Sequence, residues 1–136
     1  MKPEAWLFDL DETLIEADLV WDQSHQLVLS GFGLPVPSYY ELLRTGVMTA
    51  TGSDSYIKAV LDLADSQLDP GIVVSQIWEE VTRIYQQDGF LMKPGAAGLL
   101  TQLGHIADTP LALVTCSPQC VVSLFTSRFD IFSVTV

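Results

Sequence analysis

The amino-acid sequence predicts an α/β fold, a parallel sheet whose first strand is set apart from the others by a helical insertion. Three observations carry that expectation. A short apolar run near the start, "AWLFDL", stops abruptly at acidic residues, as a buried strand does. Apolar residues at helical spacing fill the middle of the chain. From Leu91 onward, helix-like and strand-like stretches alternate.

The elements follow in order. Ala5 to Leu10 is predicted as the buried first strand, and Leu14 to Asp18 as a short connection. Leu19, Val20, Leu27 and Val28 mark a helix that ends near Gly31 and Gly33, where "LPVP" blocks its continuation. A short helix is expected from Tyr39 to Leu43, then a loop, "RTGVMTATG". Ser53 suits an N-cap with Asp54 in the first turn. Behind it Ile57, Val60, Leu61 and Ala64 form an apolar stripe at i, i+3, i+4 and i+7. The next helix runs from Pro70 to Gln86 and is expected to bury Ile72, Val73, Ile77, Val81 and Ile84. "LMKPGAAGLLTQLG" gives a Pro-Gly turn and a helix through Ala97, Leu100 and Leu103, and "PLALVT" a second buried strand ending at Thr115. Ser117 is expected as N-cap and Pro118 as the first residue of the following helix. "FSVTV" reads as a third strand, and Tyr85, Phe90, Phe125 and Phe129 as core.

Composition narrows the function. The 136 residues suit one typical domain, and a hydrophobic share of 49% excludes a disordered chain. Lys and Arg number 6 against 17 Asp and Glu, a net charge of −11 that argues against nucleic acid or an anionic membrane as partner. An anionic substrate would then need a metal ion or a local cluster of donors. No stretch approaches the roughly 20 apolar residues of a membrane span. Ala5 to Leu10 is too short for the apolar region of a signal peptide, and Asp9 interrupts it. Cys116 and Cys120, four apart on an expected helix, have no second pair to complete a zinc site. They are expected to be reduced, structural thiols of a cytoplasmic protein.

The chemistry gathers at the strand ends. Alternation in an extended chain puts Asp9 and Asp11 on one side, at the carboxyl end of the first strand, which is where ligands bind in open α/β sheets. Two carboxylates that close repel unless a cation or a proton lies between them. Thr115 closes the second strand at the same edge, and the helix that opens after it favours an anion at its N-terminus.

These residues carry a family resemblance. "DLDET" (Asp9, Asp11, Thr13) resembles motif one of the haloacid dehalogenase-like hydrolases, and "LALVTCSPQ" resembles motif two, ending in Thr115. A helical cap inserted after motif one and a return through "KPGA" are similar to the subfamily of sugar phosphatases and β-phosphoglucomutase. The resemblance spans nearly the whole chain. It implies a Rossmann-like parallel-sheet core in residues 1–16 and 91–136, with about three strands of the family's larger sheet, and a helical cap in residues 17–90. It also implies a magnesium-dependent phosphatase acting on a small phosphorylated metabolite, a sugar phosphate by preference.

Residue by residue, the resemblance makes Asp9 the nucleophile and Asp11 the general acid and base, with Thr13 in support. Magnesium would take the Asp9 carboxylate and the Asp11 backbone carbonyl. Thr115 and the Cys116 N–H would hold phosphoryl oxygens, and Gln119 is a further substrate candidate. Trp21, His25 and Arg44 are candidates for the specificity face of the cap, although ordinary packing suits Trp21 and His25 equally. Glu16 and Asp18 read as a solvated face. The dehalogenases of the superfamily lack the second aspartate, so Asp11 favours phosphoryl transfer.

Two departures stand out. Glu12 follows the second aspartate, where the family commonly has glycine. The lysine of motif three and the acidic ligands of motif four lie downstream in the family, beyond Val136 here. Lys93-Pro94 precedes motif two and reads as the cap hinge, and nothing suggests that Arg128 replaces the lysine. The expectation is therefore a piece of a longer phosphatase, inactive alone, whose first strand is an open sheet edge that could self-associate. Against the magnesium-dependent phosphatase, the alternatives are a catalytically inactive fragment of such an enzyme and a phosphomutase of the same family. A phosphoacceptor receiver domain fits poorly, because its acidic pair and its phosphoacceptor lie on different strands.

Overall fold

The three strands found in the computed structural model, β1 (Trp6–Phe8), β2 (Leu111–Leu113) and β3 (Phe132–Thr135), are all parallel, in the order β1-β2-β3. The structure describes residues 4–37, 53–106 and 108–135. Trp6, Leu7 and Phe8 pair with Leu111, Ala112 and Leu113, and the ladder continues through the Val114 N–H to the Phe8 carbonyl at 2.7 Å. The β2–β3 register shifts between Leu111 and Ala112.

β2 is flanked on both sides and buries Leu111 and Leu113. β1 departs from expectation. It is shorter than Ala5 to Leu10, and it is not buried: Leu7 is 70% and Trp6 41% exposed. Among the described residues β1 has a neighbour on one side only, so its apolar side chains lack the cover a central strand receives.

The backbone divides into two compact units, Met1–Leu19 with Thr82–Val136, and Val20–Val81. The first holds the sheet. Its helix α4 (Ala96–His105) follows Gly95, which stands at φ 83° in the left-handed region that glycine enters freely. α4 buries Ala96, Leu100 and Leu103, one residue out of step with the expected Ala97, which is exposed. α5 (Gln119–Arg128) buries Val121, Val122 and Phe125. An aromatic cluster completes this core. Phe125 lies 4.8 Å from Phe129 and 5.2 Å from Phe90, which in turn stacks on Tyr85 at 4.4 Å. Arg128 sits over the Phe90 ring at 5.5 Å, a cation–π contact that gives it a packing role.

The second unit is helical. α1 (Asp18–Gly31, its first two residues in the other unit) closes with Gly33 at φ 69° and a Leu34 N–H bond back to the Leu29 carbonyl at 2.9 Å, a Schellman-like stop. α2 (Ser53–Leu63) buries Ile57, Val60 and Leu61, but Ala64 lies past its end and is exposed. In α3 (Pro70–Asp88), Val73, Val74, Ile77, Val81 and Tyr85 are buried. Their spacing of four leaves Ile72 on the outer side of the first turn, 52% exposed against expectation, and Ile84 half-buried. The expected helix at 39–43 and the loop after it lie outside the described residues. Among those described, no helix is long and apolar enough to cross a membrane.

Candidate active site

The chain turns sharply as soon as β1 ends. Leu10, Leu14 and Ile15 are fully or almost fully buried and anchor the loop. The Leu10 carbonyl accepts the N–H groups of Leu14 at 2.9 Å and Ile15 at 3.2 Å. With these anchors inside, Asp9 is exposed and Asp11 half-buried at the carboxyl end of β1.

Each aspartate is held by a hydroxyl. Thr13 Oγ1 donates to Asp9 Oδ2 at 2.9 Å. Ser117, just past the end of β2, donates its hydroxyl to Asp11 Oδ2 across 106 residues of sequence. The Ser117 N–H donates in turn to Thr115 Oγ1 at 3.0 Å. The ends of the two paired strands therefore meet through Thr115, Ser117 and Asp11. Ser117 is not the expected N-cap. That position falls to Pro118, which has no side chain able to cap, so the helix starts one residue later than expected.

Burial drives the Asp11 carboxyl above the ordinary range; the Ser117 hydroxyl opposes the shift, and the charges of Asp9, Glu12 and Asp18 reinforce it. Among the described residues, neither the buried Asp11 Oδ1 nor the buried Tyr85 hydroxyl has a hydrogen-bond partner. Burial, then the charges of Asp11 and Glu12, push the Tyr85 hydroxyl's pKa up. Tyr85 was expected as plain core; its ring is, and its hydroxyl faces the field of the acidic loop.

Glu12 stands at φ 58°, where glycine is the usual occupant. Its carboxylate makes that backbone tenable. Oε1 accepts the N–H groups of Ala17 at 2.6 Å and Asp18 at 3.0 Å, while Oε2 pairs with Lys93 at 2.5 Å. Lys93 also lies 3.6 Å from Glu16. Lys93 first, then the two N–H donors, lower the Glu12 pKa to about 2. Backbone pairing supports the same junction: Glu16 N–H to the Leu91 carbonyl at 2.8 Å, and Lys93 N–H to the Leu14 carbonyl at 2.9 Å. The sequence reading missed this ion pair and the role of Ser117. A glutamate at a glycine position was the available signal for the first.

The remaining candidates are more scattered. Cys116 is exposed and precedes α5, so the two cysteines do not share a helix; both are free and exposed. Gln119 is exposed and spends an amide N–H on Ser123 Oγ at 3.0 Å. In the helical unit, His25 Nδ1–H donates to the Trp21 carbonyl at 2.6 Å, and its ring meets Tyr56 edge-on at 5.0 Å. Burial lowers the His25 pKa. Arg44 lies outside the described residues.

Among the described residues, no group of three or more His, Cys, Asp or Glu side chains is placed to cage a metal. The hard oxygens of Asp9 and Asp11 still suit magnesium, which keeps several waters and typically takes only one or two carboxylates alongside substrate phosphate.

No family model matches the chain, and no curated protein matches its sequence. Solved structures do. CbbY from Rhodobacter sphaeroides, in complex with xylulose-(1,5)bisphosphate, superposes with a TM-score of 0.79 at 21% identity, covering 97% of this chain and 62% of that one. A predicted phosphoglycolate phosphatase from Haemophilus somnus gives 0.67 at 20% identity, over 98% and 61%. YfnB from Bacillus subtilis, a HAD-hydrolase bound to magnesium, gives 0.67 at 14%, over 99% and 63%. The chain thus spans a little over three-fifths of the length of the structures it resembles. Its fold is that of the matched part of these structures, HAD hydrolases among them.

Proposed function

We propose that this chain carries the nucleophile and the acid/base of a phosphatase acting on a small phosphorylated metabolite, a sugar phosphate in particular. The observation that carries the reading is that Asp9 and Asp11 both lie at the carboxyl end of β1, with Asp11 joined through Ser117 to the end of β2. The solved CbbY complex with a sugar bisphosphate, on the same fold, supports the substrate class.

Thr13 occupies Asp9 Oδ2, which leaves Oδ1 to attack phosphorus. As the new bond from Asp9 to phosphorus forms, the bond to the leaving oxygen breaks, and Asp11 gives that oxygen its proton. Asp11, now ionised, takes a proton from water. The water oxygen attacks phosphorus, the bond to Asp9 breaks, and inorganic phosphate leaves with Asp9 restored. The raised Asp11 pKa supports the acid role, since the carboxyl must hold a proton at the start. The Thr115 hydroxyl and the Cys116 N–H would receive phosphoryl oxygens. The Asp9 carboxylate and Asp11 carbonyl would hold magnesium, which when bound offsets negative charge on the phosphoryl group.

The test is a panel of phosphorylated metabolites, assayed with magnesium on this chain and on a form long enough to span the matched structures. Asp9→Asn is expected to abolish turnover and Asp11→Asn to nearly abolish it. Activity within about tenfold of wild type in Asp9→Asn would exclude the covalent route, given what a lost nucleophile costs.

A further inference from the structure

The Ser117 hydroxyl has three conceivable uses: capping α5, binding substrate, or holding Asp11. The first is excluded, because Pro118 occupies the cap position. The structure shows the third directly, in the bond to Asp11 Oδ2. Ser117 is itself fixed, half-buried, with its N–H on Thr115 Oγ1 at 3.0 Å. The bond also meets a physical need. Asp9 and Asp11 carry like charges two residues apart, and repulsion favours an Asp11 side chain turned away towards water. A hydroxyl donor anchored on the neighbouring strand end resists that rotation.

We propose that Ser117 is a positioning residue, whose hydroxyl holds the Asp11 carboxylate at the end of β1 in the orientation from which it exchanges protons with the leaving oxygen and with water. The inference rests on the phosphatase reading above and adds to it a residue that does not itself touch the reacting atoms. Thr13 acts on Asp9 in the same way from within the loop, whereas Ser117 acts on Asp11 from another strand. The geometry of the acid/base therefore depends on β1 and β2 being correctly paired.

The experiment compares Ser117→Ala, Ser117→Thr and Asp11→Asn in a form of the protein that turns over phosphate esters. Each is assayed on an alkyl phosphate and on p-nitrophenyl phosphate, whose leaving group needs little help from a proton. Ser117→Ala is expected to lower kcat for the alkyl phosphate roughly 10- to 100-fold with KM nearly unchanged, a part of the whole acid/base contribution. The loss in kcat/KM should be clearly smaller for p-nitrophenyl phosphate. Ser117→Thr, which keeps the hydroxyl, should recover most of the activity. Should the alanine variant fold poorly, Ser117→Cys keeps the shape with a much weaker donor and is expected to show the same loss. A raised KM with kcat intact would make Ser117 a substrate ligand and overturn the proposal, as would equal losses on the two substrates or no loss at all. Full turnover by Asp11→Asn would instead overturn the phosphatase reading itself.

Discussion

In the helical unit, Ile57, Val60, Val73, Ile77 and Val81 fill the interior, and the Ser24 and Tyr56 hydroxyls find backbone carbonyls within the same unit. Ser24 donates to the Val20 carbonyl at 2.8 Å, and the Tyr56 hydroxyl reaches the Pro37 carbonyl at 3.0 Å. The sheet unit is arranged otherwise. It leaves Asp11 Oδ1 and the Tyr85 hydroxyl buried without partners among the described residues, places a carboxylate two residues from another, and exposes most of Leu7. Even the left-handed residues differ. Asp65, at φ 49°, merely ends α2, whereas Glu12, at φ 58°, stands beside Asp11 and is supported by a network reaching Lys93. Packing alone requires none of these features of the sheet unit. Local rules broken together at one strand end are the pattern expected of a functional site, while the helical unit obeys them as a stable scaffold does.

The largest expected effects test whether both interiors are equally well packed. Phe125→Ala, at the centre of the aromatic cluster, should cost about 3–5 kcal/mol, and Ile77→Ala in the helical unit about 2–5 kcal/mol. Denaturant unfolding measures both; a loss below about 1 kcal/mol at either site would mean that its interior is loosely packed.

A sharper contrast comes from the two tyrosine hydroxyls. Tyr56→Phe removes a made hydrogen bond and should destabilise by about 0.5–1.5 kcal/mol. Tyr85→Phe removes a buried group that has no partner among the described residues, and should leave stability unchanged or raise it. If both variants lose stability alike, the orphaned polar group in the sheet unit is not real and the contrast fails.

The smallest effects appear on acidification, in separate windows. The folded His25 pKa lies below its ordinary 6.5, so the unfolded chain takes up the proton first and stability falls as pH drops below 6.5. The folded Glu12 pKa, about 2, lies below its ordinary 4.5, so its contribution is complete above 4.5 and is lost from there down towards 2. Glu12 and Lys93 are open to solvent, which screens their pair, so this component should be the smaller one. Thermal melts against pH should therefore lose the first component in His25→Phe and the second in Glu12→Gln.

Short-range pattern determined much of this protein. Apolar stripes located α2 and α3, the apolar runs located all three strands, and the spacing of Asp9, Asp11 and Thr13 drew attention to the end of β1. All of these are matters of period and of neighbours within a few residues, which a chain carries in its own order. Tertiary structure decided the rest. Leu7 and Ile72 are as apolar as any core residue, yet which elements lie against them determines that both face outward. Ser117 reads as a helix cap from its neighbours and becomes the partner of Asp11 only because β1 and β2 pair in one register. Lys93 meets Glu12 across 81 residues because the returning chain lies along Leu14 to Glu16. Such contacts depend on where the backbone brings distant segments together, and no local period encodes that.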